Sequence, residues 1–418
     1  MLQGFNVMME STNNGSSSNV RHKKNKLYEC IFCGAYTIYL FVSVIGTSLL
    51  GDSLGITAES INTMKHIVAV LIVLSILVSI KLNRKLIILI AGFGLVSIMV
   101  YLKMGAFNPI LSVLFLFGCR KCNPKKVCKI HLYCVSISLA IIFASAILGI
   151  IDNIELSRES SIYTVARYGM GFKNATWFGY IFNLFVDYFY IKLQYKNKKI
   201  KQSEYLTVIF LAIVSFYLSK GRLELISTFL LIIAIKNIDM LSKNKTMKKL
   251  LVFSFIIMIA LSFATTYLYV SGNSIAQSIN RALNSRLRFN AMGYSKYGIS
   301  LFGNYVEMQG ASQTTAENWQ NYFYIDNFYV SYLIQYGIIW IALALIFLTL
   351  INAKLVKEKK DVMLVFMSIV ALQGFVIPTM MDFISSCTIL VAFIEIGTLS
   401  KKPYFFKRIT QYQKIAKR

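Results

Sequence analysis

Four prolines, three histidines, and 18 acidic residues against 44 basic ones define what this 418-residue sequence has little of. The shortage of acids leaves a formal charge of +26, which in a soluble protein would suggest nucleic acid as a partner. There is no Asp-x-Asp cluster to hold a metal ion and no glycine-rich phosphate loop for a nucleotide. There are no heptads, no internal repeat, and no low-complexity tract beyond "NNGSSSN" near the start. The missing repeat argues against a transporter built from two related halves.

What is present is apolar. Hydrophobic residues make up 56% of the chain and aromatics 14%, with a mean hydropathy of +0.59. No soluble core of this size hides that much apolar surface. A membrane helix needs roughly 20 apolar residues, so about twelve spans would consume roughly 240 of them. The fold class read from this is all-α, a polytopic integral membrane protein of about 12 transmembrane helices. The spans fall at 28–50, 64–81, 86–102, 104–118, 132–151, 175–194, 205–219, 222–236, 250–271, 328–351, 362–378 and 383–399. The organisation is then a polar tail (1–27), nine spans (28–271), a large loop (272–327), three spans (328–399) and a basic tail (400–418). The first apolar run is too long for a signal-peptide core and lacks a small-residue cleavage site, so it reads as an uncleaved span.

Basic residues orient the chain, because cytoplasmic loops collect Lys and Arg. With the N-terminus inside, 33 of the 44 fall on inner segments, and each inner segment carries a basic cluster. Both termini are then cytoplasmic, and the excess charge needs no nucleic acid. "GCRKCNPKKVCKIHLYC" places Cys119, Cys122, Cys128 and Cys134 close together. One close pair falls short of the two pairs a structural zinc site wants, which favours a reduced basic loop. Cys30, Cys33 and Cys387 sit in spans.

Eleven cations remain on the outer face, most of them in three segments. The segment 152–174 carries Arg158, Arg167 and Lys173, and the turn "LSKGRLE" carries Lys220 and Arg222. The loop 272–327 carries Arg281, Arg286, Arg288 and Lys296. Arginine has a planar fork matched to phosphate oxygens, so the group suggests an anionic ligand at the membrane surface. The competing reading pairs these cations with Asp152, Glu155, Glu159, Glu224, Glu307, Glu317 and Asp326 as loop salt bridges. If "RALNSRLR" is helical, Arg281 and Arg288 share a face above Leu283 and Leu287, making an interfacial helix.

Four stretches now resemble a known family, the Wzy-type polysaccharide polymerases, relatives of the O-antigen ligases. They are "ARYGMGFKNATWFG", "LSKGRLELISTFLLI", "NSRLRFNAMG" with "LFGNY", and "IDNFYVSYLIQYGIIWIALAL". The likeness covers residues ~160 to ~350. It departs where the family usually writes His-Pro-Asn, here Lys173, Asn174 and Ala175. The resemblance implies a plasma-membrane glycosyltransferase that joins undecaprenyl-diphosphate-linked oligosaccharide repeat units on the outer face. Its partners would be the lipid-linked oligosaccharide, membrane lipids, a chain-length regulator and a flippase. No cofactor is expected, since the donor is already activated by its lipid.

In such a transfer negative charge grows on the departing diphosphate, and fixed guanidinium groups would stabilise it without a metal. Arg222 and Arg286 are the first choices for that role, with Arg167, Lys173, Asn174, Lys220, Arg281 and Arg288 as further ligands. Asp326, Glu307 and Glu224 are candidate bases, although Asp326 also fits as a helix cap near Asn327. His66 reads as a packed ring before it reads as a base. Trp319, Tyr322, Phe323 and Tyr324 would face sugar rings or merely belong to the interfacial aromatic belt. Gly298, Gly303 and Gly337 mark turns or close helix contact. Two alternatives stand beside the polymerase. One is a ligase-like transferase using another acceptor, and the other is a twelve-span flippase of lipid-linked oligosaccharides.

Overall fold

The computed structural model describes residues 25–78, 84–159, 164–195, 199–310 and 322–398. Most of the polar N-terminal tail, the whole basic C-terminal tail and Trp319 lie outside these residues. The first half contains α1 (Asn25–Gly46), α2 (Leu49–Ser53), α3 (Ala58–Val78), α4 (Arg84–Met104), α5 (Asn108–Gly118) and α6 (Pro124–Ile147). A hairpin of β1 (Glu155–Glu159) and β2 (Thr164–Tyr168) precedes α7 (Phe178–Tyr195), α8 (Gln202–Ser219) and α9 (Arg222–Lys236). Next come α10 (Ile238–Lys243), α11 (Lys245–Val252), α12 (Ser254–Val270), α13 (Ser274–Ala282) and α14 (Arg286–Tyr297). The chain continues with α15 (Phe328–Lys357), α16 (Asp361–Gln373) and α17 (Thr388–Thr398).

The protein is a helical membrane protein. Among the described residues five helices (α1, α3, α6, α8 and α15) are long and apolar enough to cross a membrane, or six if α11 and α12, bent by 64°, are one broken span. Every apolar run marked in the sequence overlaps a helix, and the run 222–236 matches α9 at both ends. Other ends moved. α6 starts at Pro124, so Cys128 lies in a helix and not in a loop. Cys119 and Cys122 are buried in the tight turn before it. α16 stops at Gln373 and α17 begins at Thr388, leaving 374–387 without regular helix. Among the described residues the β1–β2 pair is a local exception to the helices, with Glu155 opposite Tyr168 and Leu156 opposite Arg167.

Faces of α3 and α8 leave Ile67, Val70, Leu74, Leu77, Phe210 and Ile213 exposed, a burden that lipid tails relieve and water does not. The inner helices hold Trp340, Phe115, Phe182, Phe189 and Phe255 with essentially no exposure. At the break between α11 and α12, Asn352 of α15 donates to the Leu251 carbonyl (3.2 Å) and lies 3.4 Å from Ser254 Oγ. It satisfies backbone groups that the bend frees.

Distant contacts sort the connections into two ends of the bundle. At one end lie the pairs Lys126–Glu29, Lys192–Glu204, Lys248–Asp361 and Lys360–Glu395, with Lys125 over the Tyr195 ring. At the other lie Lys173–Asp52, Arg286–Asp326, Lys103 to Ser300 and Leu49 N–H to the Gly171 carbonyl. The second end is loop-rich and carries the candidate residues.

Two features order the large loop there. A chain reversal at Asn284 (φ 58°) and Ser285 (φ 63°) separates α13 from α14. "RALNSRLR" is therefore two helices, and the shared face expected for Arg281 and Arg288 does not form. Asn280 stabilises the reversal, its carbonyl accepting from Ser285 N–H (2.8 Å) and its side chain from Arg288 N–H (3.1 Å). Farther on, residues 300–304 plug a break in α15 at Gly337 (φ 85°). Ser300 and Leu301 carbonyls accept from Ile338 and Ile339 N–H, and Asn304 N–H donates to the Ile334 carbonyl. A Cβ on Gly303 would stand 1.8 Å from the Gln335 carbonyl oxygen, so only glycine fits. Under this strap Phe289, Val306, Phe323, Ile325, Val330 and Ile334 form a second small core.

Candidate functional site

Two arginines from distant loops lie within electrostatic reach of each other at the loop-rich end. Arg286 opens α14, directly after the left-handed turn, and its Nε donates to Asp326 Oδ2 at 2.8 Å. Both side chains are partly buried, 23% and 26% exposed. Asp326 is not the cap of α15. Asn327 takes that role, accepting from Val330 N–H (3.1 Å), and its amide donates to Ser262 Oγ of α12 (3.0 Å). The carboxylate is thereby free to serve Arg286.

Arg167 comes from β2. Its Nε donates to the Ser219 carbonyl (2.8 Å) and its Nη2 to the Ala175 carbonyl (3.1 Å). Ser219 ends α8, where helix carbonyls present partial negative charge. Glu224, in the first turn of α9, lies near both arginines, and its carboxylate crowds Gly221.

The electrostatics show the convergence. Burial pulls the Arg167 guanidinium below its ordinary value and nearby Arg286 adds to this, while Glu224, Tyr322 and Asp326 work the other way. Burial also acts against Arg286, but Asp326, then Glu224 and Tyr322, outweigh it and hold that group above its ordinary value. Both stay cationic at any physiological pH. Arg167 and Arg286 lie within electrostatic reach of each other, and Nη1 and Nη2 of Arg286 make no hydrogen bond to protein among the described residues, an arrangement of the kind an anionic ligand requires.

The other residues named from sequence spread around this centre. Arg222 begins α9, exposed and with no ion-pair partner among the described residues. Lys220 caps α8 in a left-handed conformation (φ 54°), its ammonium 4.3 Å from the Tyr217 ring centroid. Arg288 is exposed and stacks on Phe289, and Arg281 is exposed and bonds Ser278. Lys173 pairs with Asp52 at 2.6 Å, away from the arginine pair. Asn174 has a buried Oδ1 with no hydrogen-bond partner. The Glu307 side chain is exposed. His66 stacks on Phe107 with 4.2 Å between ring centroids. Tyr324 is partly buried; burial, then Asp326, Asp382 and Tyr322, raise its hydroxyl above the ordinary tyrosine value.

Tyr324 leads to a second polar group that sequence reading missed. Asp382, in the non-helical segment 374–387, accepts from the Tyr332 hydroxyl at 3.0 Å. Its carbonyl accepts from Tyr39 (2.7 Å), and the flanking Met381 and Phe383 carbonyls accept from Ser112 and Tyr36. Lys65 donates to Asn108 at 2.8 Å and lies within electrostatic reach of Asp382. Burial pushes the Asp382 carboxyl up to about 6, against Lys65 and Tyr332. A narrow cleft at this carboxylate is lined by Tyr39, Asn108, Leu111, Ser112 and Phe115. The available signal was a single acid, "MMDF", beside Pro378 and between two apolar runs.

Comparison with known proteins adds no relative: no family model, no curated protein and no solved structure matches the chain.

Proposed function

We propose that this protein polymerises lipid-linked oligosaccharide repeat units at the outer face of the plasma membrane, as a twelve-span, metal-independent glycosyltransferase. The observation that carries the reading is the approach of Arg167 and Arg286, drawn from two of the three outer segments where cations work against membrane insertion. Such residues are retained when something anionic needs them. The resemblance to Wzy-type polymerases supplies the anion, the diphosphate of an undecaprenyl carrier.

In this reading the free edge of Arg286 and the charge of Arg167 bind the diphosphate, with Arg222, Lys220, Arg281 and Arg288 at the rim adding positive field. Glu224 and Asp326 neutralise the arginine pair in the absence of substrate and keep its geometry. An acceptor hydroxyl oxygen attacks C1 of the donor sugar, and the C1–O bond to the diphosphate breaks. The lipid diphosphate leaves with the bonding electrons, and the hydroxyl proton passes to a carboxylate. Asp326 was the leading base in the sequence. Its bond to Arg286 keeps it beside the proposed diphosphate site, which supports that role.

The test mixes purified full-length protein with a defined lipid-diphosphate oligosaccharide and resolves the products by gel or mass spectrometry. A ladder of chain lengths is expected, with released undecaprenyl diphosphate. A single addition to a different acceptor would replace the polymerase with a ligase-like transferase. Transbilayer movement of the lipid-linked oligosaccharide without new bonds would replace it with a flippase.

A further inference from the structure

Apart from the arginine pair, α6, α7 and the residue before α17 bring Cys128, Asp187 and Cys387 together in the buried interior. Their ligand atoms all lie within 4.8 Å of one another. Cys387 Sγ is 3.3 Å from Asp187 Oδ1, and Cys128 Sγ is 3.8 Å from the Asp187 carbonyl. His131, also buried, stands behind the carboxylate with Nδ1 2.5 Å from Asp187 Oδ2, and its Nε2 is 3.1 Å from the Ile384 carbonyl.

We propose that Cys128, Asp187 and Cys387 supply three ligands to one thiophilic divalent cation of the zinc class, a water completing its tetrahedral coordination, with His131 holding the ligating carboxylate in place. The chemistry of the set supports this. Two sulfurs and a carboxylate are a zinc-type donor set, whereas calcium and magnesium take oxygen alone. Zinc–sulfur bonds of about 2.3 Å place tetrahedral ligands about 3.7 Å apart, so the widest pair here closes by about 1 Å. Charge is the second support. Two thiolates and one carboxylate carry three negative charges, which a divalent cation largely offsets in a low-dielectric interior. An imidazole or imidazolium hydrogen-bonded to a ligand carboxylate is also a normal outer partner of a metal.

The consequence is mechanical. The three ligands are distant in sequence, and the cation would tie α6 and α7 to the segment 374–387 just before α17. That segment carries Asp382, so the site would fix the position of the second polar group. Only Cys128 is shared with the zinc site considered in the sequence, whose close pair was Cys119 and Cys122.

The experiment uses the full chain, purified in detergent under reducing conditions. Metal content is read by mass spectrometry, and Zn²⁺ or Co²⁺ alone is titrated in. About one equivalent per chain is expected, with the intense near-ultraviolet charge-transfer band of a cobalt thiolate. Cys128→Ser and Cys387→Ser abolish that band, and Cys119→Ser with Cys122→Ser keeps it. His131→Gln weakens affinity about 10–100-fold, as loss of an outer partner does. If a cysteine variant fails to fold, the wild type still decides: a chelator must lower its melting temperature and added Zn²⁺ restore it. No stoichiometric uptake, uptake that survives both cysteine substitutions, or a metal-free Cys128–Cys387 disulfide would each overturn the proposal.

Discussion

Removing the Arg286 guanidinium is the most informative single perturbation, because its consequence separates binding from folding. Among the described residues Arg286 makes one side-chain bond, to Asp326 at 2.8 Å, and its Nη1 and Nη2 have no partner. Two charge-assisted bonds from these nitrogens to a phosphate would contribute about 1.5–3 kcal/mol each, or about 3–6 kcal/mol together. At about 1.4 kcal/mol per factor of ten, Arg286→Ala should lower polymerisation by about 10²–10⁴-fold. Arg286→Lys keeps the charge but loses the planar fork, so it should recover only part of this. Asp326→Asn separates the roles of the carboxylate. If Asp326 only holds Arg286, an amide oxygen still accepts the Nε bond and activity falls by about tenfold or less. If Asp326 is the base, the loss is about 10²–10⁴-fold, comparable with Arg286→Ala. The assay is the product ladder, with size-exclusion chromatography to check that each variant remains monodisperse. A full ladder from Arg286→Ala would refute the phosphate cradle outright.

Further predictions concern the scaffold. Gly303→Ala puts a Cβ 1.8 Å from the Gln335 carbonyl and must push the strap out of the α15 break. The strain and the lost Asn304-to-Ile334 bond should destabilise the protein by about 2–4 kcal/mol, seen as an earlier detergent melt and faster trypsin cleavage near Lys296. Lys173→Ala removes an exposed pair with Asp52 and should change stability by about 1 kcal/mol or less. Asp382 holds its proton up to about pH 6 when folded, but only to about 4 when unfolded. The folded state binds more protons between these values, so stability should fall as pH rises from about 4 to about 6. Asp382→Asn should flatten that slope, and an unchanged slope would remove Asp382 as its source.

The sequence carried the helices better than their meeting points. Apolar runs announce themselves because lipid leaves a span no polar alternative, and α9 fell between Arg222 and Lys236 as charge at both ends requires. Arg286 and Asp326 were each legible as outer polar residues, but nothing local says that they bond across 40 positions. The break at Asn284–Ser285 was hidden because asparagine and serine also fit a helix turn, and Asn280 decides the matter from the preceding helix. Arg222 led the reading on its tight turn, yet the structure leaves it at the rim and draws Arg167 inward through two carbonyls. Asp382 and the Cys128–Cys387 cluster were illegible for a simpler reason. Their meaning depends on packing between helices, which hydropathy does not encode.

The ion pairs can be compared with the inner and outer segments that the charge pattern defines. Charge asymmetry alone divided the connections into an inner set and an outer set. The four ion pairs Lys126–Glu29, Lys192–Glu204, Lys248–Asp361 and Lys360–Glu395 each join two members of the inner set or the helix ends beside them. Lys173–Asp52 and Arg286–Asp326, together with Lys103 to Ser300, join members of the outer set. Omitting or adding one span in the middle would reverse every later assignment and make Lys360–Glu395 and Arg286–Asp326 trade sides. Labelling tests this directly. In a variant lacking native cysteines, a cysteine at Lys173 or Arg288 should react with a membrane-impermeant maleimide on intact cells. A cysteine at Lys126 or Lys357 should react only after permeabilisation. Reaction of Arg288→Cys from the inside alone would place the arginine cradle where no outer-face polymer is made.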